Sequence, residues 1–98
     1  MAQTMKLGKH ATKVTRNKDA LGSIMRVKYH QTYIVTVTDT EIILAHGWWK
    51  TASTKTRMNQ ASNQYDLGYQ VYQKAGEWYV DFKGVTYPFD GESILLIR

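Results

Sequence analysis

The chain contains no cysteine, which excludes disulfide staples, thiolate metal sites and cysteine nucleophiles and leaves stability to packing. No apolar run approaches the ~18 residues that mark a membrane-spanning helix. The basic N-terminal stretch, with Lys6, Lys9, Lys13, Arg16 and Lys18, lacks the apolar segment of ~7–15 residues that would make it a secretory signal. The phosphate-cradling patterns GxxxxGK[ST] and GxGxxG are both missing, as are HExxH and a nucleophile elbow around Ser23, Ser53, Ser62 or Ser93. His10, His30 and His46 are scattered, so a metal site would need the fold or a second chain to assemble it. These absences point away from an enzyme, and no cofactor is expected.

What is present fits one soluble domain. The chain has 98 residues, 43% apolar and 21% charged, close to globular averages and enough for one modest core. Its net charge of +5 is unevenly spread. Residues 1–30 hold seven Lys/Arg against one acid, a charge of +6, and residues 31–98 hold six against seven, a charge of −1. Residues 1–22 show neither helical nor strand periodicity and read as a basic mobile arm, with 23–98 as the single folded domain. A cationic arm gains counterion-release free energy on a polyanion, although basic tails also serve solubility alone.

Within the domain, Ile24 to His30 alternates, with Met25, Val27 and Tyr29 on the inner side and Ile24, Arg26, Lys28 and His30 forming a basic outer face. Thr32 to Thr38 is dense in β-branched residues, and Asp39-Thr40 turns the chain into Glu41 to Ala45. Gly47 breaks this run, and the hydroxyl-rich stretch from Thr51 leads into one expected helix, Thr54 to Asp66, with Met58, Ala61 and Tyr65 on its apolar side and Gly68 ending it. Tyr69 to Lys74, Glu77 to Lys83, Val85 to Tyr87 and Glu92 to Ile97 then read as strands separated by Ala75-Gly76, Gly84 and Pro88 to Gly91. The order β-β-β-α-β-β-β-β defines an α+β fold: a bent antiparallel sheet or open barrel packed against one helix.

Candidate binding residues lie in two regions. Lys13, Arg16, Lys18, Arg26 and Lys28 supply the N-terminal charge, with Lys50 further along. Around the helix start, Lys55 and Arg57 oppose the positive end of the helix dipole, a cost of roughly 0.3–1 kcal/mol each that a bound anion would reverse, with Ser53 and Thr54 as hydroxyl donors. Alternatively, the hydroxyls only cap and the cations are solvated. Asn59 and Asn63, with Gln60 and Gln64, place amides on adjacent helical rows, where they either read base edges or form a polar surface. Trp78 falls on an inward strand position, while adjacent Trp48 and Trp49 cannot both point inward if extended, so one is a candidate exposed contact unless a loop hides both. Asp39, Glu41, Glu77, Asp81, Asp90 and Glu92 lie mostly beside turns, where solvated carboxylates are the default over an acid/base pair.

The run Gly47 to Gln60, followed by Tyr69 to Lys74 and Glu77-Trp78-Tyr79-Val80, resembles small proteins encoded by bacteriophages and mobile elements, over roughly residues 24–82. That group brings no activity with it. The resemblance implies the cytoplasm of a bacterial host and a role in replication control or in blocking a host defence complex. The expected function is a non-catalytic binding module for nucleic acid or a nucleoprotein complex. The alternative is a phage-type inhibitor or adaptor that binds a host defence protein through exposed aromatics. Salt dependence separates the two, because only the former weakens steeply between low and physiological salt.

Overall fold

The computed structural model describes residues 12–19, 22–47 and 51–98. Its elements run β1 Thr12–Asp19, β2 Gly22–Tyr29, β3 Thr32–Val37, β4 Glu41–Ala45, α1 Ala52–Tyr65, β5 Tyr69–Lys74, β6 Glu77–Phe82, β7 Val85–Pro88 and β8 Ser93–Ile97. The fold is α+β, with the expected order preceded by one further strand. Two antiparallel sheets, ordered β1-β2-β3-β4-β8 and β5-β6-β7, share the core without closing into a barrel.

The additional strand corrects the expected arm. Residues 12–19 pair along their whole length with β2, Lys13 opposite Lys28 and Val14 opposite Val27. Residues 1–11 lie outside the described residues. Cross-strand pairing stabilises a segment of low apolar content, and Val14 adds a contact to the core cluster.

Alternation places Val27, Val37, Ile42, Leu44 and Leu96 in the core from the larger sheet, and Tyr69, Val71, Trp78, Val80 and Phe82 from the smaller. One irregularity matters. Between Val27 and Lys28 the register with β3 shifts, so Val35 pairs with Val27 and Tyr33 with Lys28, leaving Ile34 as the extra residue. Ile34 and Val35 are both buried, while Tyr33 turns outward beside Lys28. The hairpin turns Ala75-Gly76 and Lys83-Gly84 have both residues at positive φ, the conformation that joins twisted antiparallel strands in two residues.

Helix α1 begins two residues earlier than expected. Thr51 is the N-cap, its Oγ1 accepting from Thr54 N at 3.2 Å, and Asp66 in the left-handed region is the C-cap. The helix is held to the outer edge of β5 by side chains that behave as a neighbouring strand would. Asn59 Nδ2 donates to Val71 O at 2.8 Å, and Val71 N donates to Asn59 Oδ1 at 2.7 Å. One turn on, Ser62 Oγ donates to Tyr69 O at 2.7 Å and accepts from Tyr69 N at 3.1 Å. The Tyr69 hydroxyl returns to the helix, donating to Met58 O at 2.6 Å. At the opposite end, His46 Nε2 bonds Gly91 O at 2.7 Å, and its ring packs against Phe89 and edge-on to Trp78, fastening the β7–β8 connection to the end of β4.

Asn59→Ala and Ser62→Ala each strand backbone groups of β5 and should cost about 1–3 kcal/mol by urea unfolding. Asn59→Asp should cost no less, because it sets a carboxylate oxygen against the Val71 carbonyl. Burial of the Tyr69 phenol raises its pKa above the ordinary 10.0 by disfavouring the charged form. The native state therefore holds this proton more tightly than the unfolded chain. The resulting stability is complete below pH 10 and declines as pH rises above it. In Tyr69→Phe, alkaline unfolding curves should lose that part of the decline while showing a loss of about 1 kcal/mol at neutral pH for the missing hydrogen bond.

Candidate functional site

The five-stranded sheet has one face on the core and one toward solvent. On the solvent side the register brings Lys13, Thr15 and Asn17 of β1, Ile24, Arg26 and Lys28 of β2, and Tyr33 and Thr36 of β3 together, and none of these is acidic. Tyr33, next to Lys28 at the start of β3, is 49% exposed. The Arg26 guanidinium lies 5.9 Å and the Lys28 ammonium 5.6 Å from its ring centroid. Lys13 is directly across from Lys28, and Arg26 is two residues along β2, about 6.6 Å away along the strand. The β-bulge makes this possible, since strict alternation from Val35 would have sent Tyr33 into the core and Ile34 into solvent.

The expected cations do not form one site. Lys13, Arg26 and Lys28 share the solvent face. Arg16 is on the opposite face of β1, with its guanidinium 5.0 Å from the Tyr65 ring of α1. Lys18, also on that face, lines a cleft of about 330 Å³ with Arg16, Asp39 and Arg98 among its walls. Lys50, Trp48 and Trp49 lie outside the described residues.

The expected anion receptor at the helix start does not assemble as read from sequence. Lys55 donates to Gln73 Oε1 at 3.0 Å and lies 5.6 Å from the Trp78 ring. Arg57 donates to Thr12 Oγ1 at 3.1 Å and Gln60 Oε1 at 3.2 Å, with its guanidinium 5.5 Å from the Tyr29 ring. Both cations tie the helix to strands instead of converging at its N-terminus. Thr54 is buried with its hydroxyl 3.1 Å from that of Thr51, and Ser53 is exposed. Asn59 is committed to Val71, which removes it from base reading, and Asn63 is exposed beside Gln70.

A concavity that sequence reasoning did not foresee, of about 530 Å³, lies between the β2–β3 turn and the helix start and brings His30 and His46 to one wall system with Tyr29, Thr32, Ser53 and Thr54. Its described walls carry no Lys or Arg. Among the described residues no group of three or more His, Asp or Glu is placed to hold a metal ion. Asp81 is engaged by neutral donors, accepting from Tyr72 at 3.1 Å and Thr86 at 2.6 Å on the outer face of the smaller sheet.

A family model described as Kyanoviridae Gp96 protein matches residues 1–95. The chain belongs to this phage protein family. No curated protein and no solved structure matches it. No helix among the described residues of this phage protein is long and apolar enough to cross a membrane.

The placement of Lys55 and Arg57 reverses the sign of one expectation. As strand-binding residues they stabilise the native state, so Lys55→Gln/Arg57→Gln should lower stability by about 1–2 kcal/mol, the scale of two cation–π contacts with their hydrogen bonds. An anion receptor would instead gain stability on losing these charges and would lose its extra response to sulfate. Thermal melts of both proteins in sulfate and chloride at equal ionic strength should show equal sulfate increments.

Proposed function

We propose that this phage protein is a non-catalytic module that binds single-stranded nucleic acid across the outer face of its five-stranded sheet. The observation that carries the reading is Tyr33, half exposed and flanked by Arg26 and Lys28, with Lys13 across from Lys28 on the same face. Single strands are held without sequence preference by cations that track phosphates and flat side chains that stack on bases. The phenol ring and the Arg26 guanidinium supply the flat surfaces, and Lys13 and Lys28 supply charge at neighbouring strand positions. An open antiparallel face suits a splayed strand better than a duplex groove, which takes a protruding helix or ribbon. The cations on the inner face, Arg16 and Arg57, already contact aromatic rings and serve the fold.

The test is fluorescence anisotropy with a labelled single-stranded oligonucleotide across a salt series. Binding should weaken steeply with salt, and each of Lys13→Gln, Arg26→Gln and Lys28→Gln should reduce the log–log slope by about 0.7. Tyr33→Ala should lower affinity roughly 5- to 100-fold, the loss of one stacked base, with little change in slope. Affinity indifferent to salt and to Tyr33 would overturn the reading in favour of a hydrophobic protein contact.

A further inference from the structure

Four sheet edges end the two sheets, and three are protected by recognisable devices. The β1 edge carries Lys13, Arg16 and Lys18, whose charges repel a second such strand. The β5 edge is covered by Asn59 and Ser62 of the helix. The β7 edge is four residues long and ends in Pro88. Among the described residues the β8 edge has none of these. Bonds from His46 N to Glu92 O and from Arg98 N to Thr40 O fix which residues of β8 face β4, namely the even-numbered ones. The N–H and C=O groups of Ser93, Leu95 and Ile97 therefore point along the open edge. The side chains of the same residues stand on the outer face, Leu95 49% and Ile97 62% exposed, beside Ile43 of β4.

We propose that β8 is a homodimer interface, at which two copies of this chain pair β8 with β8 antiparallel about a twofold axis to form a continuous ten-stranded sheet. The strand is self-complementary in the register centred on Leu95. Leu95 then meets Leu95 of the second copy and Ser93 meets Ile97, which makes about six backbone hydrogen bonds from groups that otherwise face solvent. At both ends the same register places Glu92 opposite Arg98 in non-hydrogen-bonded positions, where cross-strand side chains approach closest, giving two charge-complementary pairs. In the single chain Arg98 Nη1 donates to Thr38 O at 2.7 Å, on the β4 side, so pairing with Glu92 of the second copy requires its guanidinium to turn toward the open edge. The basic patches do not oppose this arrangement. Counted in strand spacings, the two copies of β2 lie ~34 Å apart, several times the Debye length of ~8 Å at physiological salt. Two five-residue strands with Leu95 and Ile97 bury less than the ~1,600 Å² of a standard interface, which puts the dimer in the class of weak, concentration-dependent associations.

Sedimentation velocity of the full chain from about 5 to 500 µM, without nucleic acid, tests the proposal independently of the binding function. The expected result is a monomer–dimer equilibrium that saturates at two. Leu95→Lys/Ile97→Lys, in which both new side chains face solvent, should sediment as a monomer throughout with an unchanged melting temperature. Glu92→Arg should weaken the dimer at least fivefold, and Glu92→Arg/Arg98→Glu should restore it by exchanging the charges. A wild type monomeric at 500 µM, association that continues beyond two, or a dimer indifferent to both sets of substitutions overturns the proposal.

Discussion

The outward backbone groups of Tyr69 and Val71 are bonded to side chains of the helix and not to a strand. They are taken by Ser62 and Asn59, two helix residues three apart that meet two strand residues two apart. This match sets where the helix lies against the smaller sheet. Each buried or half-buried amide and carbonyl left without a partner would cost about 1–3 kcal/mol, so sliding the helix by one residue forfeits four bonds together. The Tyr69 hydroxyl bond to Met58 O adds a fifth at the same junction, and its burial shows how little water reaches it. Apolar packing of Met58, Ala61, Val71 and Val80 tolerates small shifts. The polar bonds do not, and they supply the specificity.

With α1 fixed on β5, the positions of the cations follow. Lys55 and Arg57 lie on helical sides that face strands, and each places its charge over an aromatic ring of a neighbouring strand. Arg16 does the same from β1 toward Tyr65. The inner side of the molecule thus absorbs much of the positive charge in structural contacts. Arg26 and Lys28, on the other side of the same hairpin, contact the Tyr33 ring, and Lys13 lies across from Lys28. A one-residue period separates the two roles: Arg26 and Lys28 are outward because Val27 is inward.

Much of this was legible. The alternation in β2 correctly divides Met25, Val27 and Tyr29 from the basic outer positions, and the turn residues at Ala75-Gly76 and Lys83-Gly84 mark hairpins because their φ angles require it. Strand β1 was not legible, since its single large apolar residue, Val14, cannot show a period. What makes it a strand is its partner β2, a nonlocal cause that a local pattern does not contain. Asn59 looked like a surface amide because its role depends on where β5 docks. Tyr33 is hidden in the sequence for a related reason: the β-branched run around it reads as regular alternation, and the bulge opposite Val27 is what turns Ile34 and Val35 both inward. For the helix-start cations, distance along the chain shows only that they lie near the dipole's positive end, not the side of the helix from which they leave.

The protection of the sheet edges completes the physical picture. A free edge in a soluble domain is a hazard, and a sequence can blunt it with charge, proline or a covering element. This chain uses one of these devices at each of three edges, so the devices were available to it at the fourth. At β8 it places leucine and isoleucine where lysine would have been safer, with Glu92 and Arg98 at the two ends instead of a repeated charge. Charges of one sign at both ends would repel an antiparallel copy, whereas opposite signs attract it. The arrangement therefore selects an antiparallel partner of its own kind at the edge farthest from the basic patch, where pairing leaves Tyr33 and its flanking cations uncovered.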